Sequence, residues 1–371
     1  MKKIRVLNMV YSLGSGGIER FSVECYRHIN CQLIEMDFVT KRNKSEFYDE
    51  DIKKLGGRKI SLSNTAVVKG FSAKIQMLVK AIKLFNDGYN VAYFNISSPA
   101  DAIKYPLLSR IAGIKKTVVH AHSSLDSKRG LIHSIANSIG RLYLSNSTIK
   151  KVACSESAAL WMFGEKTCKD RHYTEIKNGI DIDLYRFNPH TRNEYRKQLG
   201  ISESTLVVGQ VGRFVALKNH DFTLQVAKEL IEKNIDCYFV FAGDGRLKSD
   251  CEKLAKKMGI SDRILFLGNR KDVGGLLQSF DIFVMPSEYE GLPLAAIEAQ
   301  TSGCRCVFSN GITKETDVTG NCTFLPLEKE YWVKEIMSFA PSDRNESAER
   351  VASAGYDIND TARTIENILL Q

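Results

Sequence analysis

Glu290-Gly291-Leu292-Pro293-Leu294-Ala295-Ala296-Ile297-Glu298 sets two carboxylates eight positions apart across a glycine–proline turn. The run before it, Asp281-Ile282-Phe283-Val284-Met285-Pro286-Ser287, reads as a buried strand that ends at Pro286. The run after it, Ala295-Ala296-Ile297-Glu298-Ala299-Gln300, reads as a helix. Strand, tight loop and helix together aim unpaired backbone N–H groups and the positive end of a helix dipole at an anion. A carboxylate cannot hold a phosphate, but it accepts hydrogen bonds from sugar hydroxyls. One phosphate cradle flanked by two hydroxyl acceptors is what a nucleotide-sugar requires.

Outward from this stretch, the chain alternates short aliphatic runs with segments whose apolar residues recur every three or four positions. Strands are expected at residues 4–10, 32–39, 91–95, 116–120 and 150–154, with helical patterns at 19–29 and 102–111 between them. The second half repeats the theme at 206–210, 237–242, 264–267, 282–285 and 306–309. This alternation implies an α/β fold: two tandem doubly wound, Rossmann-like domains, each a parallel sheet covered on both faces, with ligand at the carboxyl ends of the strands. The expected domains are 1–180 and 189–355, joined by a linker between 178 and 188 where turn residues and Pro189 break the pattern.

At 371 residues the chain suits two cores, and 43% hydrophobic with 26% charged residues is the composition of a globular protein. No apolar run approaches the roughly 20 residues that span a bilayer. Arg5 and Asn8 interrupt the first apolar stretch, so it reads as a strand and not as a signal peptide, and the protein as cytoplasmic. Nine cysteines without C-x2-C spacing, Cys304-Arg305-Cys306 being the closest pair, read as free thiols in a reducing compartment.

Charge is uneven. Residues 1–185 hold 29 Lys+Arg and 17 Asp+Glu, whereas residues 186–371 hold 23 and 26. A basic first half meets something anionic. Lys69, Lys74, Lys80 and Lys83 fall around Phe71, Ile75, Leu78, Val79 and Ile82, which suits two readings. One is a helix on an anionic membrane surface; the other is a helix packed on its own domain with snorkelling lysines. Nucleic acid is disfavoured because no recognition motif accompanies the charge.

Other residues gather at the ends of the expected strands. Arg213 and Lys218 lie between Gly212 and a helix start at Asn219-His220-Asp221, where two cations can neutralise a diphosphate and the charge growing on a leaving group. Gly14, Gly16 and Gly17 follow the first strand, but Glu19 stands where a dinucleotide fingerprint needs its third glycine. A backbone approach to a ligand or a plain tight turn fits them. His120 and His122 share a strand face, and with no acidic third ligand nearby a metal pair is the weaker reading.

Taken in order, these motifs resemble the retaining glycosyltransferases of family four, which have the GT-B fold, in its bacterial capsule and exopolysaccharide branch. The resemblance rests on the spaced glutamates and on Val211-Gly212-Arg213-Phe214 with Lys218. It rests also on Ala242-Gly243-Asp244-Gly245, Phe266-Leu267-Gly268-Asn269-Arg270, the Gly14–Gly17 loop, Ala153-Cys154-Ser155-Glu156 and Lys177-Asn178-Gly179-Ile180-Asp181. One departure is Gly303-Cys304-Arg305, where relatives carry Gly-x-Pro.

The resemblance implies an acceptor-binding first domain and a donor-binding second domain facing a central cleft, with a last helix at 361–371 packing back on the first. Arg213 and Lys218 would contact the donor pyrophosphate, Glu290 the donor sugar and Glu298 the ribose. The N–H groups of Gly291, Leu292 and Leu294 would surround the phosphate, Pro293 having none to give. Asn269 and Arg270 would lie by the base, Gly16 and Gly17 by the reacting sugar, and His122, followed by Ser123, over the donor sugar. No metal or other cofactor is implied. The implied reaction moves a hexosyl or N-acetylhexosaminyl group from a nucleotide-diphosphate sugar, foremost a UDP-sugar, to a polyprenyl-diphosphate-linked or oligosaccharide acceptor, with peripheral membrane association on the cytoplasmic side as the setting. Its rivals are a UDP-sugar epimerase of the same fold and a non-catalytic nucleotide-sugar-binding subunit.

Overall fold

The computed structural model describes residues 3–67, 70–122 and 130–371. The chain divides into two compact units, one comprising residues 1–179 with 358–371 and the other residues 180–357.

The first unit is built on seven strands: β1 (Ile4–Tyr11), β2 (Ile34–Thr40), β3 (Lys59–Ser61), β4 (Val91–Ile96), β5 (Lys116–Ala121), β6 (Lys150–Ala153) and β7 (Thr174–Glu175). All pair in parallel in the order β3-β2-β1-β4-β5-β6-β7. The second unit holds β8 (Leu206–Val211), β9 (Cys237–Ala242), β10 (Ile264–Phe266), β11 (Ile282–Met285), β12 (Arg305–Ser309) and β13 (Cys322–Leu325). Their order, β10-β9-β8-β11-β12-β13, is again parallel throughout. Strand direction of travel reverses between β1 and β4 and between β8 and β11. Crossover helices leave the sheet in opposite senses there, and a crevice opens at the strands' carboxyl ends.

Each central strand is covered on both faces, which is why β4 and β11 are apolar at almost every position and buried along their whole length. Side chains of β1 alternate between the two faces. Leu7 and Met9 join a core with Phe94 and Leu144, while Val6 and Val10 join one with Phe21 and Phe38. The expected strands are present. The sequence reading did not single out β3, β7 or β13, which span three, two and four residues at or next to sheet edges. Runs so short carry too few alternations to register as a period.

The second unit begins at Ile180 and not at 189. Ile180, Ile182 and Tyr185 are buried in its core, and the Ile180 N–H donates to the Tyr356 carbonyl at 2.8 Å, so the chain segments entering and leaving the unit pair side by side. Beyond Asp357 the helix Ile358–Leu370 belongs to the first unit, where it packs on the helix Gly17–His28. Asn30 donates its N–H to Glu366 Oε2 at 2.9 Å, and Lys116 Nζ reaches the Ile368 carbonyl at 2.9 Å, placing a cation at the helix's carboxyl end. All nine cysteines are free thiols. At the departure from the family pattern, Gly303 takes φ +68° after its helix, and a Cβ there would sit 2.5 Å from Arg344 Cβ.

The segment with spaced lysines forms the helix Phe71–Phe85, packed on its own unit through Met77, Ala81 and Phe85; Lys69 lies outside the described residues. The apolar arc opposite this buried face stays exposed.

One carboxylate ties the second sheet to its flanking helix. Asp281 takes Arg192 Nη2 on one oxygen and Arg196 Nη2 on the other, each at 2.6 Å, and also accepts the Val207 N–H at 2.8 Å. Arg196 is 1% exposed and donates further to the carbonyls of Ser202, Glu203, Thr205 and Ser279. Removing one member of such a pair strands the other charge away from water. We expect Asp281→Ala to lower stability by about 3–5 kcal/mol in denaturant unfolding; a loss under about 1 kcal/mol, the ceiling for surface pairs, would show that the cluster is solvated.

Candidate functional site

At the order reversal of the second sheet, two loops meet. The loop after β8 opens with Gly212 and Arg213, and Phe214, fully buried, pins it. The Phe214 N–H donates to the Asp244 carbonyl at 3.0 Å, and its ring stacks on His220 with centroids 3.9 Å apart. Gln210, buried at the end of β8, donates Nε2 to the Lys218 carbonyl at 2.8 Å while accepting from Thr223 at 2.7 Å. These anchors hold Lys218 at the strand's end. Asn219 adopts a left-handed conformation (φ 53°, ψ 47°) and launches the helix His220–Glu232. Such a conformation is open chiefly to glycine and to short polar side chains.

The loop after β11 is fastened at both ends. The Glu288 N–H donates to the Leu217 carbonyl at 2.9 Å, tying it to the first loop, and the Glu290 N–H donates to the Gly311 carbonyl at 3.1 Å. The two loops then share an ion pair: Lys218 Nζ lies 2.6 Å from Glu290 Oε1, with both side chains about one-sixth exposed. Opposite charges held at the edge of a cleft stay accessible to a ligand while keeping each other oriented. Pro293 precedes the helix Leu294–Thr301, and Glu298 is fully buried on that helix. Among the described residues, no backbone carbonyl or side chain accepts from the N–H groups of Gly291, Leu292 or Leu294. Three donors at a helix start thus lie beside the ion pair.

The Ala242-Gly243-Asp244-Gly245 motif has a steric reason. Gly243 takes φ +144°, and a Cβ there would lie 2.0 Å from the Gly212 carbonyl oxygen. Its glycine lets the loops after β8 and β9 touch. On the next strand out, the Gly268 carbonyl accepts from Gly243 at 2.8 Å, which brings the 268–270 segment to the same sheet end. The Arg270 guanidinium is engaged there by Asp272, at 2.8 and 2.5 Å, so its charge is neutralised locally. Arg213 is exposed, and no described acidic residue pairs with it.

The other site residues lie in the first unit. Gly14 and Gly17 have open space where a Cβ would go, whereas at Gly16 it would lie 2.3 Å from Glu19 Oε2. Glu19 accepts from Ser12 Oγ, closing the loop over Gly16. His122 stands just past β5, its Nε2 2.7 Å from Asn95 Oδ1; Asn95 Nδ2 in turn donates to Asn8 Oδ1 at 2.8 Å. His120 shares the face, its ring centroid 3.9 Å from that of His122, and its Nδ1 is 2.7 Å from Tyr93 Oη. Ser123 lies outside the described residues. Sequence reasoning missed Asn8, Asn95 and Gln210 as supports. Their signal was present: an amide inside an apolar strand buried on both faces has to be hydrogen-bonded.

Burial pushes the His122 imidazole down to about 3, with the Asn178 amide pulling weakly the other way. It drives His120 well below the usual histidine range, with the His122 neighbour adding to the effect. His220 is lowered to about 4 by burial and by Lys218. All three rings are neutral at pH 7. The unfolded chain takes up protons near pH 6.5 that the folded chain refuses, so stability is full above that value and falls as pH drops toward 4. Thermal unfolding between pH 7 and pH 4.5 should show a falling Tm, with a shallower slope in His220→Asn. An unchanged Tm over that range would contradict the neutral, desolvated assignment.

A family pattern described as glycosyl transferases group 1 matches residues 191–336, the stretch that contains both loops. The chain is 32% identical to the EpsF protein of Bacillus subtilis, a glycosyltransferase by name, over 98% of this chain and 96% of that one. It is 25% identical to the capsular polysaccharide biosynthesis glycosyltransferase CapH of Staphylococcus aureus, over 99% of both chains. It is 24% identical to an Escherichia coli UDP-Gal:α-D-GlcNAc-diphosphoundecaprenol α-1,3-galactosyltransferase, over 83% of this chain and 80% of that one. Among solved structures, Anabaena HepE in complex with UDP and glucose superposes with a TM-score of 0.79 at 16% identity, covering 99% of this chain and 100% of that one. The lipopolysaccharide glycosyltransferase WaaG does so at 0.75 and 16%, covering 98% and 99%. The two Rossmann-like units are those of the GT-B fold, and the chain belongs to the group 1 glycosyltransferases, in the branch that serves bacterial polysaccharide biosynthesis.

Proposed function

We propose that this glycosyltransferase takes its sugar from a UDP-sugar and delivers it, with retention at the anomeric carbon, to a hydroxyl of a polyprenyl-diphosphate-linked glycan. The observation that carries the reading is the Lys218–Glu290 ion pair beside three unused backbone donors at the order reversal of the second sheet. A donor diphosphate fits the cations and N–H groups, and a sugar hydroxyl fits the carboxylate. The E. coli relative is named for a UDP-galactose donor and a diphosphoundecaprenol-linked acceptor, and HepE has been solved with UDP-glucose, which supports the same classes of partner here.

In this proposal Arg213 and Lys218 meet the pyrophosphate, Gly291, Leu292 and Leu294 donate to its oxygens, and Glu298 holds the ribose. Asn269 and Arg270 flank the base, the latter through backbone because Asp272 occupies its side chain. Glu290 accepts from a sugar hydroxyl, oriented by the Lys218 ammonium, which then serves carboxylate and phosphate together. As the bond from the anomeric carbon to the phosphate oxygen breaks, the acceptor oxygen bonds to the same face of that carbon. The acceptor's proton passes to the departing phosphate oxygen. No side chain acts as base; the gain lies in holding positive charge where negative charge grows, without a metal. Neutral His122 offers the reacting sugar an uncharged hydrogen-bonding group, and Gly16 and Gly17 leave room for its approach.

A thermal-shift series against UDP, GDP and ADP tests the donor, because a ligand at 100 times its Kd adds about 2.7 kcal/mol. UDP should shift Tm and the other two should not; a shift with GDP or ADP alone would replace the donor. In a transfer assay, Lys218→Ala and Glu290→Ala should each lose about 10²–10³ in kcat with near-native Tm, the range typical of removing one group that stabilises transition-state charge. Wild-type turnover in both would refute the site. Product that is an isomerised nucleotide-sugar with no acceptor glycoside would turn the reading to epimerisation.

A further inference from the structure

The helix Lys248–Lys257 follows β9 and starts at the carboxyl end of the second sheet. The loop that leads into it is pressed against the loop after β8. At Gly245 a Cβ would lie 2.5 Å from the Phe214 carbonyl oxygen, and the Leu247 N–H donates to that same oxygen at 3.2 Å. The Lys248 N–H donates to the Gly245 carbonyl at 3.1 Å. Backbone contacts to the loop that carries Arg213 thus set where the Lys248 side chain leaves the helix.

That side chain reaches across to the end of β10. Gly268 takes φ +67°, a conformation that favours glycine, and a Cβ there would lie 3.7 Å from Lys248 Nζ. The ammonium therefore stands beside the Gly268 backbone, next to Asn269 and Arg270, the residues placed at the base in the proposed donor complex. Its carboxylate partner is Glu252, one turn on in the same helix, at 3.6 Å, with the two side chains 26% and 44% exposed. A pair this exposed is weak and exchanges readily for an oxygen on a ligand.

The polar side chains beside this backbone differ in what they can tell apart. Arg270 is held by Asp272 through two hydrogen bonds. Asn269 carries both a carbonyl and an amino group, so a carbonyl or an amino substituent on a base finds a match in it. An ammonium only donates. Set against a pyrimidine, it matches the 4-carbonyl of uracil. Against the 4-amino group of cytosine it sets donor to donor, which costs both groups the hydrogen bonds they made with water.

We propose that Lys248 is a specificity-determining residue of the donor site: its ammonium donates to the 4-carbonyl of uracil and so selects a uridine over a cytidine diphosphate-sugar. The positive charge makes this hydrogen bond stronger than a neutral one. The inference rests on the donor reading and supplies a chemical reason for the base, since the Lys218–Glu290 pair and the backbone donors beside it meet only diphosphate and sugar. Every residue it invokes lies in the second unit.

The test is calorimetric binding of UDP and of CDP to the full chain, in wild type, Lys248→Met and Lys248→Glu. The two nucleotides share ribose and diphosphate and differ only in the substituent at position 4 of the base and the N3 proton that goes with it. A variant that merely loses positive charge or disturbs the cleft weakens both alike, so the ratio of the two affinities isolates the contact to the base. Wild type should prefer UDP by about tenfold or more, the worth of one charge-assisted hydrogen bond. Lys248→Met, which keeps the apolar stem, should weaken UDP about tenfold, hold CDP within about twofold and bring the ratio close to one. Lys248→Glu, an acceptor in place of a donor, should turn the preference toward CDP. Both variants should unfold at the wild-type Tm, because the side chain is partly in water and its ion pair is weak. Equal affinity of wild type for the two nucleotides, or a wild-type ratio in Lys248→Met, would overturn the assignment and leave the donor site standing. Binding of neither nucleotide by wild type would overturn the donor reading and this assignment with it.

Discussion

Reversal of strand order between β8 and β11 is the constraint on which the second unit's chemistry depends. Parallel strands need crossover helices, and where successive crossovers depart in opposite directions, nothing covers the strand ends between them. Loops carrying Lys218 and Glu290 fill that gap, and everything that fixes them is local to it. Gln210 reaches up from β8, Leu217 and Glu288 join their backbones, and Gly243 admits the neighbouring loop at a distance no other residue would allow. These three supports fix the backbones from which the Lys218 and Glu290 side chains reach each other.

The first unit solves a different problem at its own reversal between β1 and β4. Asn8 and Asn95 are nearly buried in the middle of the sheet, where an unmatched amide would be costly. They answer each other and then His122, so the polar chain runs from the core to the end of β5. Burial keeps the imidazole neutral, which fixes it as a hydrogen-bonding group and not as a charge. A cationic ring there would carry the cost of holding a charge away from water.

The same unit carries the chain's clearest conflict between local pattern and tertiary placement. An amphipathic helix normally buries its apolar stripe. In Leu131–Ser145 the narrow face of Asn137 and Gly140 wins the contact with the 98–100 turn, because a paired amide and a glycine contact are geometrically demanding while an apolar stripe is not. The apolar arc is what remains. From sequence the spaced lysines of the neighbouring helix left two readings, packed helix or membrane-surface helix; in the structure one face is packed and the other is uncovered.

Much was legible in the sequence because it is periodic or punctuated. Doubly buried strands appear as unbroken aliphatic runs, the glutamate loop announces itself by Pro286, Gly291 and Pro293, and the order of motifs carries the family. Short edge strands, the unit boundary at Ile180 and the Asn8–Asn95 pair were not recovered, since each depends on partners distant in the chain, and Gln210 was passed over although its partners lie only 8 and 13 residues on. By itself the sequence determined two parallel sheets and the residue types at their carboxyl ends, because burial on both faces and turn chemistry act over a few neighbouring residues. Only the tertiary structure decided that Lys218 and Glu290 meet, that Arg270 is already taken by Asp272, and which face of Leu131–Ser145 is left in water, because those outcomes are set by contacts that exist only once the chain has closed on itself.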